Sequence, residues 1–138
     1  MKNISLPLKV VEGFAYDVMN LSELLITASG TATLEGAIIG KPMVIVYRVS
    51  FISYWIGRAM VQVDHIGLVN LVAGKEIAPE LIQNDVNPKR IADEALRILR
   101  DPILYRRMTE SMVEVRKRLG EPGAAQRAAR IVTSLLHE

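Results

Sequence analysis

Apolar positions are distributed in two ways along this chain. In the first half, short and almost wholly apolar runs are cut by glycine, proline and serine; from residue 87 on, apolar residues return every three or four positions. The first pattern is that of buried strands, the second of amphipathic helices. Residues 4–11 (Ile-Ser-Leu-Pro-Leu-Lys-Val-Val) read as a short strand, with Pro7 demoting its first half to an edge or a loop. Glu12-Gly13 is a turn, and Tyr16 to Leu21 a brief helix that ends near Ser22-Glu23. Leu24 to Thr27 is a second strand, expected to be covered on both faces as parallel strands are.

Thr31 to Ile39 follows as a helix, and Gly40-Lys41-Pro42 ends it, with glycine just past the last turn and proline behind. Met43-Val44-Ile45-Val46-Tyr47 is a third, uniformly apolar strand. A strand, helix and strand joined this tightly imply a parallel pair with a right-handed crossover. Ser50 caps a helix from Phe51 to about Val61, whereas residues 66–72 fit either a short strand or a loop. Asn87-Pro88 opens a helix in which Ile91, Ala95, Leu96 and Leu99 share a face, and Asp101-Pro102 stops it. A second helix lines up Leu104, Met108, Met112, Val115 and Leu119 and ends at Gly120; these Met and Leu stripes read as core packing. A third, from Ala124 to Leu136, turns Ala128, Ile131, Val132 and Leu135 inward.

With 138 residues the chain is long enough for one domain with a real core. Half of it is hydrophobic with few aromatics, which suits an α/β or mainly helical globule. A net charge of +2 is too small to imply nucleic acid as a partner. The charge is uneven: eleven Lys/Arg face seven Asp/Glu from Val86 onward, against six and eight in residues 1–85. Solvated helix faces account for this, and a basic face toward anionic lipid or a polyanion is the alternative. There is no cysteine, so disulfides are excluded and the redox compartment is left open. Met1-Lys2-Asn3 leads into no apolar run of signal-peptide type. The uncharged stretch Val49 to Gly57 falls far short of the roughly 20 residues that span a bilayer. The expectation is a soluble or peripheral protein of the cytoplasm.

The chemistry concentrates at one junction, where the strand Leu24–Thr27 breaks at Ser29-Gly30-Thr31 and a helix begins at once. Glycine lets backbone approach a ligand, and the first helical N–H groups lack partners within the helix. Free donors and helix dipole point the same way, so such a junction can hold an anion; it can equally be an ordinary helix cap. Glu35 falls one turn deeper, within reach of hydroxyls beside a bound phosphate. Other chemistries find less support. His65 and His137 lie far apart, no carboxylate–histidine spacing suits zinc or iron, and His65 beside Asp64 reads as a surface pair rather than a dyad. Ser29-Gly30 lacks the Gly-x-Ser-x-Gly elbow of hydrolases, and Gly36-x-x-x-Gly40-Lys41-Pro42 lacks the spacing and hydroxyl of a P-loop.

Four strings in order give the junction a context: Ala28-Ser29-Gly30-Thr31-Ala32-Thr33-Leu34-Glu35, Lys41-Pro42-Met43-Val44-Ile45-Val46-Tyr47-Arg48, Leu68-Val69-Asn70-Leu71-Val72-Ala73-Gly74 and Pro79-Glu80-Leu81-Ile82-Gln83. Together they resemble the C-terminal part of the lipid-A-disaccharide synthase family, inverting glycosyltransferases with two Rossmann domains (GT-B), from about Leu6 onward. The resemblance implies a partial Rossmann-like, three-layer α/β/α domain with a short parallel sheet and a helical C-terminal third. It also implies an activity: transfer of diacylglucosamine from its UDP donor to a lipid monosaccharide phosphate, giving the β-1,6-linked disaccharide of lipid A. By the same resemblance the backbone of Ser29, Gly30 and Thr31 faces the diphosphate, Glu35 the ribose hydroxyls, and Asn70 the donor site. Enzymes of this fold take the leaving group's charge on helix N-terminus and side-chain donors, so neither metal nor cofactor is expected.

Weaker candidates flank these. Tyr47 and Arg48 close the third strand on the usual ligand side of an α/β sheet, with Arg48 either a phosphate partner or a plain surface arginine. Glu80 and Gln83 belong to the last string, though loop fixing would explain them too. Phe14, Tyr16 and Asp17 lie where such folds often hold the uracil, with buried aromatics as the alternative. The Phe51–Ile56 cluster reads as core or interface, or as contact with acyl chains. Family members also carry an N-terminal domain with the acceptor site and an expected catalytic base, and no residue here matches that base. By analogy with strand order 3-2-1-4-5-6, residues 4–11 would be a far edge strand whose neighbours are missing. Residues 1–15 are therefore expected to be displaced or paired with another chain, and the bare sheet flank to favour a homodimer. The chain alone is expected to lack transferase activity, with contact to the inner membrane a further possibility. The alternative is a non-catalytic nucleotide-binding or protein-interaction module derived from that fold.

Overall fold

A computed structural model describes residues 7–49 and 65–135. The helix expected over Phe51–Val61, the Phe51–Ile56 cluster, Asp64 and His137 lie outside the described residues. In chain order the elements are α1 (Ala15–Leu21), β1 (Leu25–Ala28), α2 (Thr31–Ile39), β2 (Met43–Tyr47), α3 (Leu68–Ala73), β3 (Glu80–Ile82), a single 3₁₀ turn (Gln83–Asp85), α4 (Pro88–Arg100), α5 (Pro102–Arg118) and α6 (Ala124–Leu135). The three strands form one open parallel sheet in the order β1-β2-β3, with Leu25 opposite Met43 and Ile45 opposite Glu80. This is a partial Rossmann-like α/β domain.

Local chemistry sets the boundaries. Gly30 precedes α2 at φ 151° and ψ −162°, a region closed to residues with a Cβ. Gly40 ends the helix in the left-handed conformation at φ 83°, its N–H returning to Ala37 O. The Asn87 side chain accepts the Arg90 N–H at the start of α4, and Asp101 accepts those of Ile103 and Leu104 at the start of α5. Both caps precede a proline in the first turn, where its missing N–H costs nothing.

Successive residues of β2, Met43, Val44 and Ile45, are each fully buried, so both faces of the central strand are covered. Helix α2 lies on the face bearing Leu25 and Met43: a Cβ at Gly36 would sit 2.8 Å from the end of each side chain. Helix α4 packs against β2, and α5 lies against α2, α3 and α4. From α5, Met108, Met112 and Val115 enter the core with Ala37, Val69, Ile77, Leu81 and Ile98. Two side chains pin its ends through three long-range bonds. Tyr105 OH donates to Glu23 O at 2.9 Å, and the Arg118 guanidinium to Val72 O and Ala73 O at 3.1 and 2.9 Å.

Several expectations need correction. Residues 7–11 form no strand: Pro7 brings no donor, and Leu8 and Val10 are almost fully exposed. β1 is covered on one face only, leaving Ile26 half exposed on the other. Residues 68–73 are neither strand nor loop but the helix α3, and Glu80–Ile82 is a strand that its three residues were too short to announce. The inward face of α4 carries Ile91 and the fully buried Ile98, while Leu96 and Leu99 stay exposed, as does Leu119 at the end of α5. α6 turns nothing inward; Ile131, Val132 and Leu135 are all more than half exposed.

Candidate functional site

A parallel sheet brings the carboxyl ends of its strands to one edge, where ligands of open α/β sheets bind. Here that edge gathers Ser29 after β1, Tyr47 and Arg48 at the end of β2, and Gln83 after β3. The residues between β1 and α2 are fixed by their neighbours rather than free. Ser29 N–H donates to Val46 O at 3.3 Å, and its hydroxyl to Ile66 O at 2.8 Å. Gly30 O accepts the Thr33 N–H at 3.1 Å and the Thr33 hydroxyl at 2.7 Å. Among the described residues no side chain caps α2, and Thr31 at its first turn is exposed. The mouth of a helix offers backbone donors and the positive end of the helix dipole. Glu35, one turn deeper, is half-buried, and its carboxylate makes no hydrogen bond within the described residues.

Beside this turn lies a second, closed network. Asn70 is fully buried in α3, and all four of its hydrogen-bonding positions are filled from its own chain. Its Nδ2 donates to Ala78 O at 2.8 Å and to Glu80 Oε1 at 2.7 Å. Its Oδ1 accepts the N–H groups of Ile77 and Ala78 at 2.9 and 3.0 Å. Glu80 also accepts the Ile66 N–H on Oε2 at 2.8 Å and the Gly67 N–H on Oε1 at 3.0 Å. Gln83 clasps the backbone of Val49 from both sides, its Oε1 accepting the N–H at 3.0 Å and its Nε2 donating to the carbonyl at 3.2 Å. It does so at φ 51°, the one non-glycine with positive φ among the described residues.

The structure thus places Ser29, Gly30 and Thr31 at the mouth of α2 with Glu35 one turn along the same helix, and Tyr47 (half-buried) and Arg48 (exposed) on the same sheet edge. Asn70, Glu80 and Gln83 lie close by, but their polar atoms hold the protein's own loops. Phe14 and Tyr16 are exposed, so the buried-aromatic reading does not hold for them. His65 is half-buried before α3. Among the described residues no three His, Cys, Asp or Glu side chains gather as a metal site. No helix there is long and apolar enough to cross a membrane. Sequence reasoning missed the backbone partners, Ile66, Gly67 and Val49; the lone glycine in the apolar run 66–72 was the signal for one of them. A Cβ at Gly67 would stand 2.5 Å from Ile45 Cδ1 and 3.1 Å from Glu80 Oε1.

A family model described as lipid-A-disaccharide synthetase matches residues 1–134. The chain belongs to that family. Among curated relatives it is similar to the lipid-A-disaccharide synthase of Syntrophus aciditrophicus, 48% identical over 128 residues that make up 93% of this chain and 33% of the relative. That of Nitrosococcus oceani is 43% identical over 99% of this chain and 35% of its own length. That of Myxococcus xanthus is 46% identical over 92% and 33%. The chain therefore spans about a third of the length of these relatives.

Proposed function

We propose that this chain is the donor-nucleotide-binding part of a lipid-A-disaccharide synthase. In this reading it holds UDP-diacylglucosamine for inverting hexosyl transfer to a lipid monosaccharide phosphate. The observation that carries the reading is the mouth of α2 at the carboxyl edge of the sheet, where no side-chain cap and no hydrogen bond of the Glu35 carboxylate occur among the described residues and Thr31 is exposed. Backbone donors at Gly30 and Thr31 receive the diphosphate, Glu35 the ribose hydroxyls, and Arg48 and Tyr47 border the cleft. Asn70 supports the wall instead of touching the ligand, because its amide is fully engaged. The acceptor site and the catalytic base belong to the two-thirds of the relatives that this chain does not span, so alone it binds without transferring. A lipid-linked acceptor would bring the assembled enzyme to the cytoplasmic face of the membrane.

Calorimetric titration of UDP into the chain and into Glu35→Ala tests this. The wild type should bind, and the variant should lose about tenfold or more in affinity, the scale of one hydrogen bond to a charged group. Absence of binding by the wild type would overturn the reading. A second reading, a protein-interaction module with a vestigial turn, draws on α6. That helix exposes Ile131, Val132 and Leu135 while burying none of its residues. It predicts self-association or partner capture in light scattering without any response to UDP.

A further inference from the structure

We infer that Glu80 is a positioning residue for the turn that opens α2, acting through a single peptide group. The Gly67 N–H and the Ile66 carbonyl belong to the same planar, trans peptide, so they point in opposite directions. The N–H donates to Glu80 Oε1 at 3.0 Å, and the carbonyl accepts the Ser29 hydroxyl at 2.8 Å. That peptide is a rigid spacer strung between the first residue of β3 and the turn after β1. The other carboxylate oxygen fixes the preceding peptide through the Ile66 N–H at 2.8 Å, and Asn70 Nδ2 steadies the carboxylate at 2.7 Å. Three N–H donors converge on one side chain, which an ionised carboxylate, acceptor-only on both oxygens, can serve. Glutamine presents a single acceptor oxygen and turns an NH₂ toward a donor. The bridge also requires glycine at 67, since a Cβ there would collide with Ile45 and crowd Glu80 itself. With its hydroxyl held by Ile66 and its N–H by Val46, Ser29 presents Gly30 and Thr31 in one orientation. Glu80 thus shapes the α2 mouth through Ser29, 51 positions upstream of it, without touching what binds there.

The functional consequence rests on the nucleotide reading above; the mechanical link does not. The test therefore has two readouts on the full chain: residue-resolved amide hydrogen exchange without ligand, and UDP titration. Glu80→Gln, nearly identical in shape, should speed exchange at Ile66 and Gly67 and also at Ser29, by about tenfold, and weaken UDP by about tenfold. Ser29→Ala should weaken UDP by itself, and the double variant should be no weaker than the worse single, because both cut one linkage. A purely structural Glu80 would instead give faster exchange across the whole core and multiplicative losses in UDP affinity, and either result overturns the inference. Should the wild type bind no UDP, the nucleotide reading falls and exchange alone decides: acceleration confined to Ile66 and Gly67, with Ser29 unchanged, refutes the link. Should Glu80→Gln fail to fold, Ser29→Ala attacks the linkage from its other end, and unchanged exchange at Gly67 refutes it equally.

Discussion

Among the described residues, replacing Asn70 by alanine is the polar deletion that strands the most hydrogen-bonding groups. The amide satisfies four groups in a site closed to water: the N–H groups of Ile77 and Ala78, the Ala78 carbonyl and one oxygen of Glu80. A buried group left without its partner costs about 1–3 kcal/mol, and Glu80 keeps two of its three donors, so the loss should total about 3–5 kcal/mol. Against a total stability of roughly 5–15 kcal/mol this removes at least about a fifth. For a chain of this size it corresponds to a fall in Tm of about 10–20 °C. Asn70→Asp should fare no better: it keeps shape and the oxygen that accepts from Ile77 and Ala78 but loses both donated bonds, and it sets a second carboxylate beside Glu80. Thermal and urea unfolding followed by circular dichroism, with UDP titration of each variant alongside, measures the effect. A loss below about 1 kcal/mol would refute the reasoning. So would a variant that melts like the wild type yet no longer binds UDP, since Asn70 would then be a ligand contact.

Two further substitutions probe features of the same structure. Gln83→Ala should cost about 1–3 kcal/mol through its two bonds to Val49. Gln83→Gly should cost about 0.5–1 kcal/mol less, because glycine relieves the left-handed backbone at the expense of chain entropy; equal losses in urea would show that φ 51° carries no strain. Ile131→Ser on α6, where the side chain is 62% exposed, should change stability by less than about 0.5 kcal/mol. A loss above about 2 kcal/mol, or one that grows with protein concentration, would mean that this helix packs against another copy in solution.

The parts of the fold most legible in the sequence are those bounded by residues with one structural use. Gly30 before α2 and Gly40-Lys41-Pro42 after it fix that helix at both ends, and the apolar run Met43–Tyr47 admits only a strand covered on both faces. Periodicity was weaker. Ile91 and Ala95 are compatible with an inward stripe through either Leu99 or Ile98, and packing against β2 selects Ile98. The same period in α6 announced a buried face where there is none, because a helical pattern says that a face is apolar and not what covers it. β3 escaped notice because three residues carry too little alternation, and its first residue is a glutamate. At the site, the residue types pointed to the junction of β1 and α2 and to Glu35. They could not separate a side chain that meets a ligand from one that braces a loop. Among the described residues Asn70, Glu80 and Gln83 differ from Glu35 in having their polar atoms engaged by the protein itself, and only distances reveal that.

Helix α5 has a further role that follows from its two anchored ends. Tyr105 and Arg118 stand thirteen residues apart, about 20 Å along the axis. One clamps the backbone just before the first strand; the other neutralises the closing carbonyls of the third helix. The helix is a strut, holding sheet and neighbouring layer at fixed offset. Sliding of one past the other would break both clamps, so the offset between them is set by two points about 20 Å apart rather than by the core alone.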